Sequence, residues 1–228
     1  MADQNGNLQS VIDRMVEIQH NLGGERAADG VARFNRLYLG VTQAVDAAIR
    51  ADKFTEPEFV EQLARNFAGF YFDAYDASTN GGVPEAWRLL FERRYDPGIA
   101  PFQFALAGMN AHINHDLALA LVETWKPMND KPDHDSPEHV DYEYVNTILK
   151  QVEENIKGLL ETETLARADA LLGKADDAFA IWSVARARDT AWTAAEVLWA
   201  LRDVPDADRR MGAVLAGLVS LGGHGLLR

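Results

Sequence analysis

From Pro101 to Val122 the chain carries one formally charged side chain, Asp116, in a run of apolar and small residues. At about 1.5 Å per residue a helix over this stretch is long enough to cross a bilayer. Asn110, His112, Asn114, His115 and Asp116 nevertheless fall within seven residues of it, and such a group at a bilayer centre is costly. The run is therefore expected to be a helix buried inside a soluble protein. A helix covered on most sides needs other elements around it, and the rest of the sequence decides which.

Apolar residues recur at helical spacing almost everywhere, and strand-like alternation is nearly absent. Ser10 with Asp13 opens a first helix that Gly23-Gly24 stops, and a second runs from about Gly30 to Ala51. Thr55, Pro57 and Glu58 form a capping-box start for a third, closed by Ser78 to Gly82. A short helix covers about Pro84 to Arg93, and the buried helix follows from Pro101 to about Trp125. After a proline-rich loop, Pro127 to Pro137, a long polar helix is expected to about Leu172. Two more are expected, from Asp177 to Arg202 and from Asp206 to Leu221, with Gly222-Gly223-His224-Gly225 breaking the last. The expectation is all-α: one domain spanning residues 1–228, a bundle of seven to nine helices around a buried central helix, with residues 1–7 disordered.

Charge excludes some functions. Twenty-two Lys and Arg stand against 35 Asp and Glu, a net charge of −13, so nucleic acid and anionic membrane surfaces are poor partners. The acidity is local: residues 128–164 hold ten acids and three lysines. There is no cysteine, which removes disulfides, thiolate metal sites and cysteine nucleophiles and fits a reducing compartment. The amino terminus shows no secretion signal, so a cytoplasmic location is expected.

The polar cluster of the central helix is the one concentrated chemical clue. At 100° per residue, Gln103, Asn110 and Asn114 share one stripe, whereas His112 and Asp116, four apart, lie together on the nearly opposite face. His115 stands about 60° from His112, away from Asp116. Three accounts fit the pair. A satisfied internal network ties helices together; a carboxylate one turn from an imidazole fixes its tautomer and makes it a usable base; or His112 and Asp116 supply a nitrogen and an oxygen to a divalent metal. Further ligands would come from Asp133-His134-Asp135, with His139 and Asp141 behind, and His134 is the candidate third ligand. The same triplet also suits simple turn chemistry.

Asn35, Arg36 and Tyr38 interrupt the apolar face of the second helix and are candidates for lining the same cavity as His112, with surface placement of Arg36 equally open. Arg186 and Arg188 lie between Trp182 and Trp192, where an arginine can bind an anion or, as the plainer alternative, form a structural ion pair or snorkel to solvent. Gln103, His115, Asn35, Arg36, Tyr38 and Arg186 form the candidate ligand-binding set. The aromatic residues Phe67, Phe70, Tyr71, Trp87, Trp182, Trp192 and Trp199 are read as core. No phosphate loop, dinucleotide fingerprint or nucleophile elbow occurs.

The run from Ile99 to Leu117, containing Asn110-Ala111-His112-Ile113-Asn114-His115-Asp116-Leu117, together with Phe34-Asn35-Arg36-Leu37-Tyr38 and Trp182-Ser183, resembles a family of uncharacterised bacterial all-helical proteins, a domain of unknown function. The resemblance covers about Gly30 to Leu227 and implies a bacterial source but no reaction. His112 and Asp116 are also similar to the His-x-x-x-Asp helix of the all-α zinc-dependent phospholipase C and nuclease group. That group's amino-terminal Trp ligand and second His-x-x-x-Asp or His-x-x-x-Glu pair are missing here.

Two functions remain open on the sequence. One is a small-molecule enzyme, a hydrolase, lyase or isomerase, with His112, Asp116, Asn110 and Asn114 as its acid/base or metal-assisted site. The other is a non-catalytic helical binding or interaction protein in which the cluster is structural. The expected partner is a small-molecule ligand, with homo-oligomerisation left open.

Overall fold

The computed structural model describes residues 8–24, 28–128, 130–164 and 184–227. The termini expected for the helices between 165 and 183, with Trp182 and Ser183, and the disorder expected for 1–7, lie outside the described residues. Among the described residues there are eight helices and no strand. They are α1 (Gln9–Asn21), α2 (Gly30–Arg50), α3 (Pro57–Ser78), α4 (Glu85–Arg93), the central α5 (101–128), α6 (Pro137–Thr164), α7 (Val184–Ala200) and α8 (Ala207–Leu226). None is long and apolar enough to cross a membrane.

Helix α5 is surrounded by α2, α3, α4, α7 and α8, as its apolar length demands. Its first half packs on α2, where two glycines let the helices close in. A Cβ at Gly108 would stand 2.4 Å from the Phe34 ring, and one at Gly30 the same distance from Phe104. Its second half meets α3 through the bond from Asn66 Nδ2 to Thr124 Oγ1 (3.0 Å) and α7 through Trp125 edge-on to Trp192 (5.0 Å). Helix α6 closes one side. It sends Asp141 to accept the backbone N–H groups of Thr55 (3.0 Å) and Glu56 (2.6 Å) at the start of α3. The expected capping box there is thus supplanted, because α3 begins with Glu56 as its N-cap and makes no side-chain cap of its own.

The carboxy-terminal helix α8 differs from expectation. Gly222 and Gly223 do not break it; the helix continues to Leu226. Glycine is tolerated here because its missing side chain lets α8 lie against α5. A Cβ on Gly222 would meet Asn110 Oδ1 at 3.3 Å, and one on Gly223 would meet Leu89 at 3.1 Å. Tertiary contact outweighs the roughly 1 kcal/mol of helix propensity lost per glycine.

Candidate active site around His112

The central helix is not uniformly α. Residues His112–Asp116 form a π turn between the α segments Pro101–Ala111 and Leu117–Met128, and the Leu117 N–H bonds back to the His112 carbonyl five residues earlier. A π turn fits one extra residue into the helix, and such turns are frequent where a helix carries function. The two stripes read from the helical wheel remain on separate sides, but the chemistry of each is now distinct.

One stripe faces α8. Gln103 donates from Nε2 to the Leu226 carbonyl (2.8 Å) while its Oε1 accepts the Ala100 N–H at the helix start (2.9 Å). Asn110 donates to the Val219 carbonyl (3.0 Å) and accepts from Asn114 Nδ2 (2.9 Å). Gln103 and Asn110 hold the last helix in place, and Asn114 braces Asn110.

The other stripe converges on Asp116, which is 2% exposed. Its Oδ2 accepts from Trp87 Nε1 (3.0 Å) and His112 Nδ1 (2.9 Å), and its Oδ1 from His115 Nδ1 (2.6 Å). An ionised carboxylate can only accept, so both imidazoles present their Nδ1–H to it. Burial pushes the Asp116 carboxyl up, but the bonds from His112 and His115 outweigh burial and hold it below its usual value. For His112 burial is the larger effect and lowers its pKa, although Asp116 pulls the other way. His112 is therefore neutral, protonated on Nδ1, with its lone pair on Nε2. That Nε2 is buried and has no hydrogen-bond partner.

An aromatic shell keeps the imidazole dry. Phe67 stacks parallel on its face (3.5 Å between centroids, 5° between planes), and Tyr38 meets it edge-on at 4.5 Å. Phe34 and Trp87 stand 5.7 Å away. Burial, with the charge of Asp116 adding to it, raises the Tyr38 phenol well above its usual value, so it is a neutral O–H. His112 lines one end of an apolar cavity of about 90 Å³, whose wall includes Tyr38, Leu63, Phe67, Met109, Val145 and Arg188. A second hollow, of about 500 Å³, between α3, α5 and the 201–206 turn is lined by Glu123, Lys126, Arg202 and Asp206 and contains none of the expected site residues.

This arrangement sits within a chain matched over residues 8–228 by the model of a family of unknown function, DUF5995. The chain belongs to that family. No curated protein and no solved structure matches it.

The remaining expected site residues are scattered. Asn35 is fully buried and engaged in packing: its Nδ2 donates to the Met15 carbonyl and to Gln19 Oε1, and its Oδ1 accepts from Tyr71. Arg36 is exposed on α2, and Arg186 is exposed on α7. His134, expected as a third metal ligand, pairs with Glu196 on α7 (2.7 Å) and lies against His139 and Trp192, not beside His112. Asp133 accepts the Asp135 N–H and Ser136 caps His139, which is the turn chemistry open to that loop. Among the described residues no group of three or more His, Asp or Glu is placed to hold a metal ion. Asp116 Oδ2 accepts two N–H groups and its Oδ1 one, whereas Nε2 of His112 accepts none.

Two residues outside the expected ligand-binding set take part. Phe67, read as core, forms the stacking face of the imidazole. Arg188 reaches the cavity where Arg186 was expected to bind ligand. The signal was present in the spacing, since Arg188 lies four and seven residues before Trp192 and Ala195 on the buried face of α7, and Arg186 does not.

Proposed function

We propose that this chain is a small-molecule enzyme in which His112 acts as a general base through Nε2 on a largely apolar substrate. The observation that carries this reading is a neutral imidazole on the wall of an apolar cavity, anchored to a buried carboxylate through Nδ1, whose other nitrogen is buried without a hydrogen-bond partner. An orphaned buried acceptor costs about 1–3 kcal/mol, and a substrate proton donor would recover that cost. Asp116 is a positioning residue: it selects the tautomer and stabilises the imidazolium formed when Nε2 takes a proton. The same nitrogen then returns the proton, to another carbon of the substrate in isomerisation and to the leaving group in elimination; hydrolysis also needs a water that enters with the substrate, which Nε2 deprotonates as it attacks before passing that proton to the leaving group. Nε2 is sealed from bulk water, and a substrate must displace part of the apolar wall to reach it.

A second reading, a non-catalytic helical binding protein, is favoured by the amide stripe, because Gln103, Asn110 and Asn114 are all engaged in packing α8 and none lines the cavity. The two separate on one experiment. Wild type and His112→Gln, both checked for folding by thermal melting, are assayed for hydrolysis of short aryl esters and for deuterium uptake next to the carbonyl of apolar ketones. The catalytic reading expects turnover in the wild type that falls at least about a hundredfold in the variant. Equal rates in two folded proteins would refute it.

A further inference from the structure

Arg188 is 5% exposed and lies on the wall of the same cavity as His112. Its Nε donates to Asn146 Oδ1 (2.7 Å), one Nη2 hydrogen goes to the Tyr142 carbonyl (2.6 Å), and its guanidinium stacks over the Tyr142 ring at 3.9 Å. Each of these partners is neutral. A guanidinium has five N–H donors, so three remain uncommitted, and no carboxylate pairs with it among the described residues. The other ionisable wall residues, His112 and Tyr38, are both neutral. The carboxylate joined to this network, Glu143, is reached only through Asn146, whose Nδ2 donates to Glu143 Oε2 (3.0 Å), so no anion touches the guanidinium directly; a buried cation without a direct counter-charge is costly, and an arriving anion would relieve that cost.

We propose that the cavity binds a small monocarboxylic acid, as its carboxylate, with the anion on Arg188 and an apolar body against Leu63, Phe67 and Met109. The planar fork of arginine matches a carboxylate in two-point fashion, and one negative charge neutralises one cation in a wall otherwise apolar. Size limits the body. At 10–15 Å³ per water on the same measure, 90 Å³ holds roughly six to nine non-hydrogen atoms, the size of hexanoate or benzoate. This assignment names the substrate class of the site proposed above and rests on that reading for turnover, whereas binding is tested without it.

Titration calorimetry of the full chain compares hexanoate, benzoate and the uncharged hexanamide. Hexanoate is expected to bind about tenfold more tightly than hexanamide, the difference between a charge-assisted and a neutral hydrogen-bonded contact. Arg188→Gln is expected to erase that preference and Arg188→Lys to keep part of it. The comparison of acid and amide in the wild type needs no variant to fold. Equal binding of acid and amide, no saturable binding by either acid, or an acid preference that survives in a folded Arg188→Gln would overturn the assignment. Acid preference without His112-dependent turnover supports the ligand class and removes the catalytic reading alone.

Discussion

Asp116 determines the chemistry of its neighbours by accepting three N–H groups on two oxygens inside an apolar shell. Replacing it by asparagine keeps the shape but removes the charge and points an NH₂ at one or more donors. Asp116→Asn should lose about 2–4 kcal/mol of stability, read from the shift in urea midpoint; a change within about 0.5 kcal/mol would show that the buried charge is not organising the site. Protonation of His112 is linked to folding in a defined direction. Its folded-state pKa is lowered from 6.5, so below that value the unfolded chain binds more protons than the native one. The stabilisation from a neutral His112 is complete above pH 6.5 and is lost as pH falls toward the lowered native value. Asp116 is lowered from 3.8, so its contribution is lost only below that pH and the two windows separate. Urea midpoints of wild type should therefore fall below pH 6.5 more steeply than those of His112→Gln. Parallel profiles would contradict a desolvated imidazole.

At the scale of elements, helix crossings place the site. Gly108 is roofed by the base of the Phe34 ring, with Cγ and Cβ rather than a flexible tip in the way, and Phe34 in turn touches His112. Gly108→Ala should destabilise by about 1–3 kcal/mol through overpacking. Gly40 on α2 has open space where a Cβ would go, so Gly40→Ala should stabilise by about 0.5–1 kcal/mol. Chemical denaturation of both variants checks the opposite signs. The amide stripe makes its own prediction: Asn110→Ala should speed hydrogen exchange across α8, with a loss of about 1–3 kcal/mol, because the Val219 and Asn114 contacts go together. What could be seen in the sequence here follows spacing. The i, i+4 and i, i+7 relations separated Gln103, Asn110 and Asn114 from His112 and Asp116 before any coordinates. The π turn was not visible, because a one-residue widening leaves no mark in composition. The continuation of α8 through Gly222 and Gly223 was misread as a break, because the cause lies in Asn110 and Leu89 on other helices.

For the whole molecule, the length and lone charge of the 101–122 run dictate a buried helix, and covering it dictates a helical bundle. That level of the fold was legible because apolar periodicity reports burial directly. Distances in space were not: His134 follows the central helix closely in sequence yet is held by Glu196 and Trp192 on α7, and Arg188, not Arg186, is the arginine that enters the cavity. The net charge of −13 says little about the site, whose wall holds one cation and no anion among the described residues. The proposed chemistry depends on one atom, Nε2 of His112, being a free and unprotonated acceptor. Long-range proton–nitrogen NMR of histidine-labelled protein measures that state directly across a pH titration. The structure predicts a neutral His112 protonated on Nδ1 from neutral pH down past 6.5, still uncharged where ordinary histidines have titrated. A charged imidazole at neutral pH, or a proton on Nε2, would contradict it.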